Sequence, residues 1–264
     1  MAHLVGGLTS VEGTIMAKKL LISTIDKLAD FAVAFWIERC TMALQRKKYF
    51  SVALSGGSTP VPFYRKLSGI ADPALWRNTH IFPVDERFVP SGHPDNNFRM
   101  IQETLTGKVP IPASNLHPVI ITGTPEDSAL LYETEIKRFF NLPDGTMPRF
   151  NLVLLGIGAE GHTASIFPGS RIIREKSRPV AVESLDEKRH PRVTLTLPAL
   201  NNAEQILFLA TGQAKAGALK KILEENDAHL PASLVDSGTG SAIYLLDPGA
   251  ASGLSQETAA KYGF

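Results

Sequence analysis

The residues best suited to chemistry lie in "GIGAEGHTASIFPG" (156–169), where His162 follows Glu160 and Gly161. Imidazole titrates near neutrality, so His162 can take a proton from water, and the Glu160 carboxylate beside it can orient the ring or stabilise its charged form. The same stretch also reads as G-x-G-x-x-G through Gly156, Gly158 and Gly161, the spacing of a dinucleotide-binding turn, with Glu183 about where such a fold needs its acidic residue. Two features weigh against that reading. Pro168 cuts short the helix that must follow the third glycine, and His162 puts an imidazole where a nucleotide-binding turn wants a small side chain. A histidine that merely satisfies a loop carbonyl is the structural alternative.

Four other stretches offer complementary groups. In "SGGSTP" (55–60), Gly56 and Gly57 let backbone approach a ligand, Ser58 and Thr59 supply hydroxyls, and a helix starting near Pro60 would aim free N–H groups at the loop. That is the outline of a phosphate site. The alternative is a tight turn whose Ser58 or Thr59 caps the helix. "VDERFVP" places Asp85, Glu86 and Arg87 together, either as an internal salt-bridge cluster or as a ligand clamp, with Arg87 suited to grip phosphate or carboxylate oxygens. Arg192 and Lys215 lie near strand boundaries further on, where plain solvation is the competing reading.

The sequence carries no H-E-x-x-H, no Cys-x-x-Cys and no close histidine pair, so no metal is expected. It has no G-x-S-x-G elbow either, so a hydrolase built on this chain would activate water directly.

These groups need a scaffold that brings distant loops to one place. "KKLLIS" leads into an amphipathic helix from Thr24 to about Lys47, with Asp26 and Glu38 on its polar face. "YFSVALSGG", "THIFPVDERFVP", "FNLVLLGIG", "RVTLTLPAL", "QILFLAT" and "SAIYLLD" read as strands. "DNNFRMIQETL", "PEDSALLYETEIKRFF" and "GQAKAGALKKILEEN" read as helices between them. Apolar strands alternating with helices predict an α/β fold with a mostly parallel sheet covered on both faces, which binds ligands beyond the carboxyl ends of its strands. Residues 1–17 are glycine-rich and weakly patterned and are set aside as an extension; 18–264 is read as one domain.

Composition narrows the partners. The 264 residues are 44% hydrophobic and 20% charged, too apolar for disorder, and the net charge of +1 gives no electrostatic support for nucleic acid or an anionic membrane. No apolar run is long enough to span a bilayer, no secretory leader is recognisable, and the cytoplasm is the expected location. The lone Cys40, at helical spacing among apolar residues, reads as a buried structural thiol. Composition does not fix the oligomeric state.

Taken jointly, "ALSGGSTP", "VDERFVP", "GIGAEGHTASIFPG", "RVTLTLPALNNAEQILFLATGQAKAGALKKIL" and "LPASLV" resemble the 6-phosphogluconolactonase family, in order and over nearly the whole chain. The resemblance implies a three-layer α/β/α sandwich with a Rossmann-like sheet, shared with glucosamine-6-phosphate deaminase and ribose-5-phosphate isomerase. It implies cofactor-free hydrolysis of a small sugar-phosphate lactone, 6-phospho-D-glucono-1,5-lactone, to 6-phosphogluconate in the oxidative pentose phosphate pathway. His162 then matches the general base with Glu160 supporting it. The loop of Gly56, Gly57, Ser58 and Thr59, with Asp85, Arg87, Arg192 and Lys215, falls at the sugar-phosphate cleft.

Two positions depart from the family pattern: Glu160 stands where aspartate is usual, and Asn96-Asn97 where Ser-Asn is usual. Against the deaminases, the chain has "DER" where they resemble "DEY", and "GHTASIFPGS" lacks the carboxylate they carry there. A sugar-phosphate sensor without turnover, or a related isomerase or deaminase, is the competing expectation.

Overall fold

A computed structural model describes residues 18–184, 189–236 and 241–262. The extension read over 1–17 lies outside the described residues. Six strands form one all-parallel sheet in the order β1-β9-β8-β5-β2-β3. They are β1 Lys19–Ile22, β2 Phe50–Leu54, β3 Thr79–Pro83, β5 Leu152–Gly156, β8 Gln205–Ala210 and β9 Ser241–Leu246. A smaller antiparallel sheet, β4-β7-β6, is built from β4 Asp85–Arg87, β6 Val180–Glu183 and β7 Arg192–Leu195.

The strands are continuous apolar runs because both faces are covered, and their period of two divides the side chains between two cores. On one face Phe50, Val52 and Leu54 of β2, Leu152 and Leu154 of β5, and Leu207 and Leu209 of β8 pack under three helices. These are α1 Ile25–Lys47, α2 Val61–Leu67 and, after the single turn α3 Pro73–Trp76, α4 Asn97–Thr104. On the other face Ala53, Val153, Leu155, Ile206 and Phe208 meet α5 Pro125–Phe140, α6 Leu197–Asn201, α7 Ala216–Lys220 and the small sheet. The sandwich is thus three layers.

Helix α1 buries Leu28, Ala32, Phe35, Trp36 and Cys40 along one stripe. Asp26 in its first turn and Arg46 and Lys47 in its last complement the helix dipole. Cys40 is fully buried, and burial pushes its thiol up to about 11, so it is inert packing as the sequence suggests. Helix α5 opens with a reciprocal capping box between Thr124 and Asp127. Among the described residues no helix is long and apolar enough to cross a membrane.

The connections settle where a ligand can sit. From β2 the chain leaves through α2 on one face, and from the neighbouring β5 it leaves toward the other. Loops that diverge from adjacent parallel strands open a crevice at the carboxyl edge of the sheet. "SGGSTP" and "GIGAEGHT" are those two loops.

Three sequence expectations change. "DER" does not trail off the end of a strand but forms β4, which pairs antiparallel with β7 and sets Arg87 opposite Arg192. "RVTLTLPAL" is strand only to Leu195, because Pro198 suits the first turn of α6 better than a ladder position. Neither Ser58 nor Thr59 caps α2 with its side chain: Pro60 occupies the cap position, and only the Ser58 carbonyl engages the helix start.

Candidate active site

The loop after β5 is shaped around His162. Gly158 N–H donates to the His162 carbonyl at 2.8 Å, and Gly161 N–H to the Gly158 carbonyl at 3.0 Å, closing a tight turn. A Cβ at Gly158 would lie 2.0 Å from His162 Nδ1 and 2.2 Å from its Cε1, so that glycine exists to let the imidazole lie on the backbone. Gly161 has φ of +86° and would press a side chain into Leu230. Beyond Gly161 the chain forms turns rather than a helix, and Glu183 is bonded to Ser170. The glycine pattern therefore presents a histidine; the dinucleotide reading fails for want of a helix to hold the pyrophosphate.

Phe167 stacks on the imidazole, with centroids 4.4 Å apart at 29°. Glu160 Oε1 sits 3.1 Å from Nδ1, but off the N–H direction, so the carboxylate acts on the ring through its charge rather than through an aligned hydrogen bond. Nε2 is then the nitrogen left free to work on a ligand. Burial lowers the imidazole below its ordinary value; Glu160 and Asp85 oppose this, and Lys215 adds to it. His162 is consequently neutral at pH 7, the state a base requires. Burial acts to raise the Glu160 carboxyl, but its own backbone N–H, His162 and Lys215 outweigh that and hold it low.

A chain of contacts ties His162 to the small sheet. The Arg192 guanidinium lies 5.4 Å from the Phe167 ring centroid and its Nη1 is 3.4 Å from Ser165 Oγ. Ser165 donates to the buried Asp85 carboxylate at 2.5 Å. Arg87 Nη1 donates to the Asp95 carbonyl at 2.9 Å. The Nε atoms of both Arg87 and Arg192 are buried with no protein acceptor. Burial and Arg87 lower the Arg192 pKa, with Asp85 and Asp95 opposing. Two guanidinium groups held side by side with donors unspent have the chemistry to take an anion.

Glu86 belongs to the scaffold. It is wholly buried and accepts the backbone N–H groups of Arg87, Asn97 and Phe98, pinning the start of α4 to β4. Asn97 in turn donates to the Asp85 carbonyl at 2.9 Å and lies flat on Gly56, where a Cβ would fall 1.9 Å from its Oδ1. Ser55 Oγ donates to the Leu154 carbonyl at 2.8 Å, bridging the ends of β2 and β5. The "DER" stretch is thus divided: Glu86 is structural, while Asp85 is tied through Ser165 toward His162 and Arg87 keeps a donor unspent.

The fold therefore links His162, Glu160, Asp85, Arg87, Arg192 and Gly56 in a chain of contacts that runs by way of Phe167, Ser165 and Asn97, with Lys215 close enough to influence both His162 and Glu160. Gly57, Ser58 and Thr59 lie on the adjoining loop without a side-chain tie to that cluster; Gly57 has φ of +84° with open space around it. Ser165 and Phe167 were not singled out by the sequence reading. Their signal was available, since both stand in the stretch after His162. Nor does the sequence show that His93, Asp95 and His190 converge, or that His80 Nδ1 and His117 Nε2 lie 3.0 Å apart, because these pairs form only in space.

Residues 23–244 match the family model described as glucosamine-6-phosphate isomerases/6-phosphogluconolactonase. A 6-phosphogluconolactonase of Synechocystis is 38% identical over 223 residues, 83% of this chain and 91% of that one. The crystal structure of 6-phosphogluconolactonase from Thermotoga maritima superposes with a TM-score of 0.75 at 33% identity, covering 88% of this chain and 99% of the other. That of Trypanosoma brucei gives 0.82 at 28% identity, over 91% and 100%.

Proposed function

We infer the chemistry of this site from the premise that the chain belongs to the glucosamine-6-phosphate isomerase/6-phosphogluconolactonase family. The enzyme hydrolyses 6-phospho-D-glucono-1,5-lactone to 6-phosphogluconate, the lactone-opening step of the pentose phosphate pathway. The observation that carries the reading is the Phe167-stacked His162, its pKa lowered by burial, next to two arginines with unspent donors, one of which lies over the same Phe167 ring.

In this reading the substrate's anionic end lies against Arg87, Arg192 and the Gly56–Thr59 loop, and binding energy spent there places C1 beside His162 Nε2. A water loses a proton to Nε2 as its oxygen bonds to C1. The carbonyl electrons move onto oxygen, where backbone N–H groups of the glycine turn or a guanidinium receive them. When the intermediate collapses, the bond from C1 to the ring oxygen breaks and the imidazolium returns its proton to that oxygen. Glu160 steadies the imidazolium between the two transfers, and Asp85 and Lys215 set the local field. The substrate is a small molecule, and the net charge of +1 suits neither nucleic acid nor an anionic membrane. The cytoplasm is the proposed location, which a single buried thiol suits.

The test is acid release from freshly generated lactone, corrected for spontaneous opening, by the wild type and by His162→Ala. The wild type accelerates opening, and the variant falls by about 10²- to 10⁴-fold with an unchanged melting temperature. A wild type without acceleration refutes the activity; a fully active variant refutes only the base.

A further inference from the structure

We propose that His93, Asp95 and His190 form a binding site for one divalent transition-metal ion of the zinc class. One ligand atom from each lies within 4.8 Å of the other two. Asp95 Oδ2 is 3.9 Å from His93 Nδ1 and 3.7 Å from His190 Nε2. Tetrahedral zinc, with bonds of about 2.0–2.1 Å, separates its ligand atoms by roughly 3.4 Å, so the two carboxylate–imidazole pairs close by a few tenths of an ångström and the two imidazole nitrogens, within 4.8 Å of each other, by at most about 1.4 Å through side-chain rotation. The two rings already meet edge to face, with centroids 5.5 Å apart.

The backbone holds both segments in place. His93 N–H donates to the Pro90 carbonyl and Asn96 N–H to that of His93, so His93 and Asp95 sit in consecutive tight turns. On the other side Phe88 N–H donates to the Pro191 carbonyl at 2.8 Å, which extends the β4–β7 ladder and fixes His190 beside the turn. Asp95 N–H donates to His93 Nδ1 at 3.1 Å; coordination through that nitrogen exchanges this bond for a metal bond. Two imidazoles and one carboxylate favour zinc, cobalt or nickel over magnesium and calcium, which want oxygen alone. All three side chains reach solvent, so an ion enters freely and keeps an open fourth position.

The position gives such an ion a consequence. Asp95 holds Arg87 through its carbonyl and its charge acts on Arg192. A dication there clips the two strands that carry the arginines and adds positive charge beside the anion site. Binding itself does not depend on the lactonase reading.

The experiment is titration of the metal-free protein with Co²⁺, followed by visible ligand-field absorption, with Zn²⁺ calorimetry alongside. One equivalent binds with the intense bands of a four-coordinate site. His190→Ala and Asp95→Asn each weaken it by at least about tenfold, as expected when a ligand is lost, while His229→Ala, which alters another exposed histidine–aspartate pair, leaves it intact. Histidine-ring NMR of the wild type during Zn²⁺ addition requires no variant and perturbs His93 and His190 first. Absence of stoichiometric uptake, unaltered affinity in His190→Ala, or perturbation centred on His162 or His229 overturns the proposal.

Discussion

Gly158 controls where His162 can be. Any side chain there overlaps the imidazole, yet the backbone φ of Gly158 is not in the left-handed region. Gly158→Ala is therefore expected to fold normally while displacing the base, with kcat lowered by about 10²-fold or more, since misplacement of about 1 Å costs that much; steady-state kinetics with a melting curve check it. Glu160 is half exposed, where an ion pair is worth about 0.2–1 kcal/mol. It raises the imidazole pKa against the lowering by burial, so Glu160→Gln moves the acid limb of the kcat/KM–pH profile to lower pH, by under about one unit. A limb that moves upward contradicts the electrostatic role. At this scale the sequence is informative: His162 and Glu160 stand out by type and by following β5, Arg87 and Arg192 by type and by lying at strand boundaries. Ser165 and Phe167 did not, because a serine and a phenylalanine are ordinary until Asp85 and the imidazole are seen against them.

The small antiparallel sheet is the element that carries the proposed anion site. Its ladder places Arg87 directly across from Arg192, and like charges in that relation destabilise a sheet unless something occupies the gap. Arg192→Gln is accordingly expected to raise KM for the lactone by about tenfold or more, the worth of a charge-assisted contact, with kcat less affected and the melting temperature unchanged or higher. A fall in stability with unchanged KM would make the pair structural. The sequence marked "DER" and "RVTLTL" but not their pairing, since three-residue strands carry no periodicity of their own. What reads as the charged end of a strand is a separate strand, and only tertiary context separates the two. The capping error at "SGGSTP" is of the same kind: Pro60 takes the cap position and leaves the loop's hydroxyls outside the helix.

For the whole molecule, the alternation of helix and apolar strand sufficed to give the parallel sheet and its ligand-bearing edge, because both follow from burial alone. Strand order did not follow, as it depends on which crossovers run on which face. Two buried groups set opposing pH slopes on stability. Burial first, with Asp85 assisting, raises Glu86 from 4.5 to about 7 against its three backbone donors. The folded state then binds the proton more tightly, so this stability is present below pH 4.5 and lost as pH rises through about 7. Burial and then His117 lower His80 from 6.5 to about 4. That stability is present above pH 6.5 and lost as pH falls through about 4. Between roughly pH 4.5 and 6.5 the two slopes cancel in part, and melting temperatures change little. In Glu86→Gln only the loss on acidification remains, and in His80→Leu only the loss on alkalinisation; parallel melting curves across that range decide it. The strand order also constrains assembly in time. Among the described residues Lys19–Ile22 pairs with Ser241–Leu246 alone, so a strand from early in the sequence waits for one from late in it, and on a ribosome adding about 5–20 residues per second that wait exceeds ten seconds. The edge strand Lys19–Ile22 therefore joins the sheet as a late, long-range event, and the sheet does not grow outward from that strand.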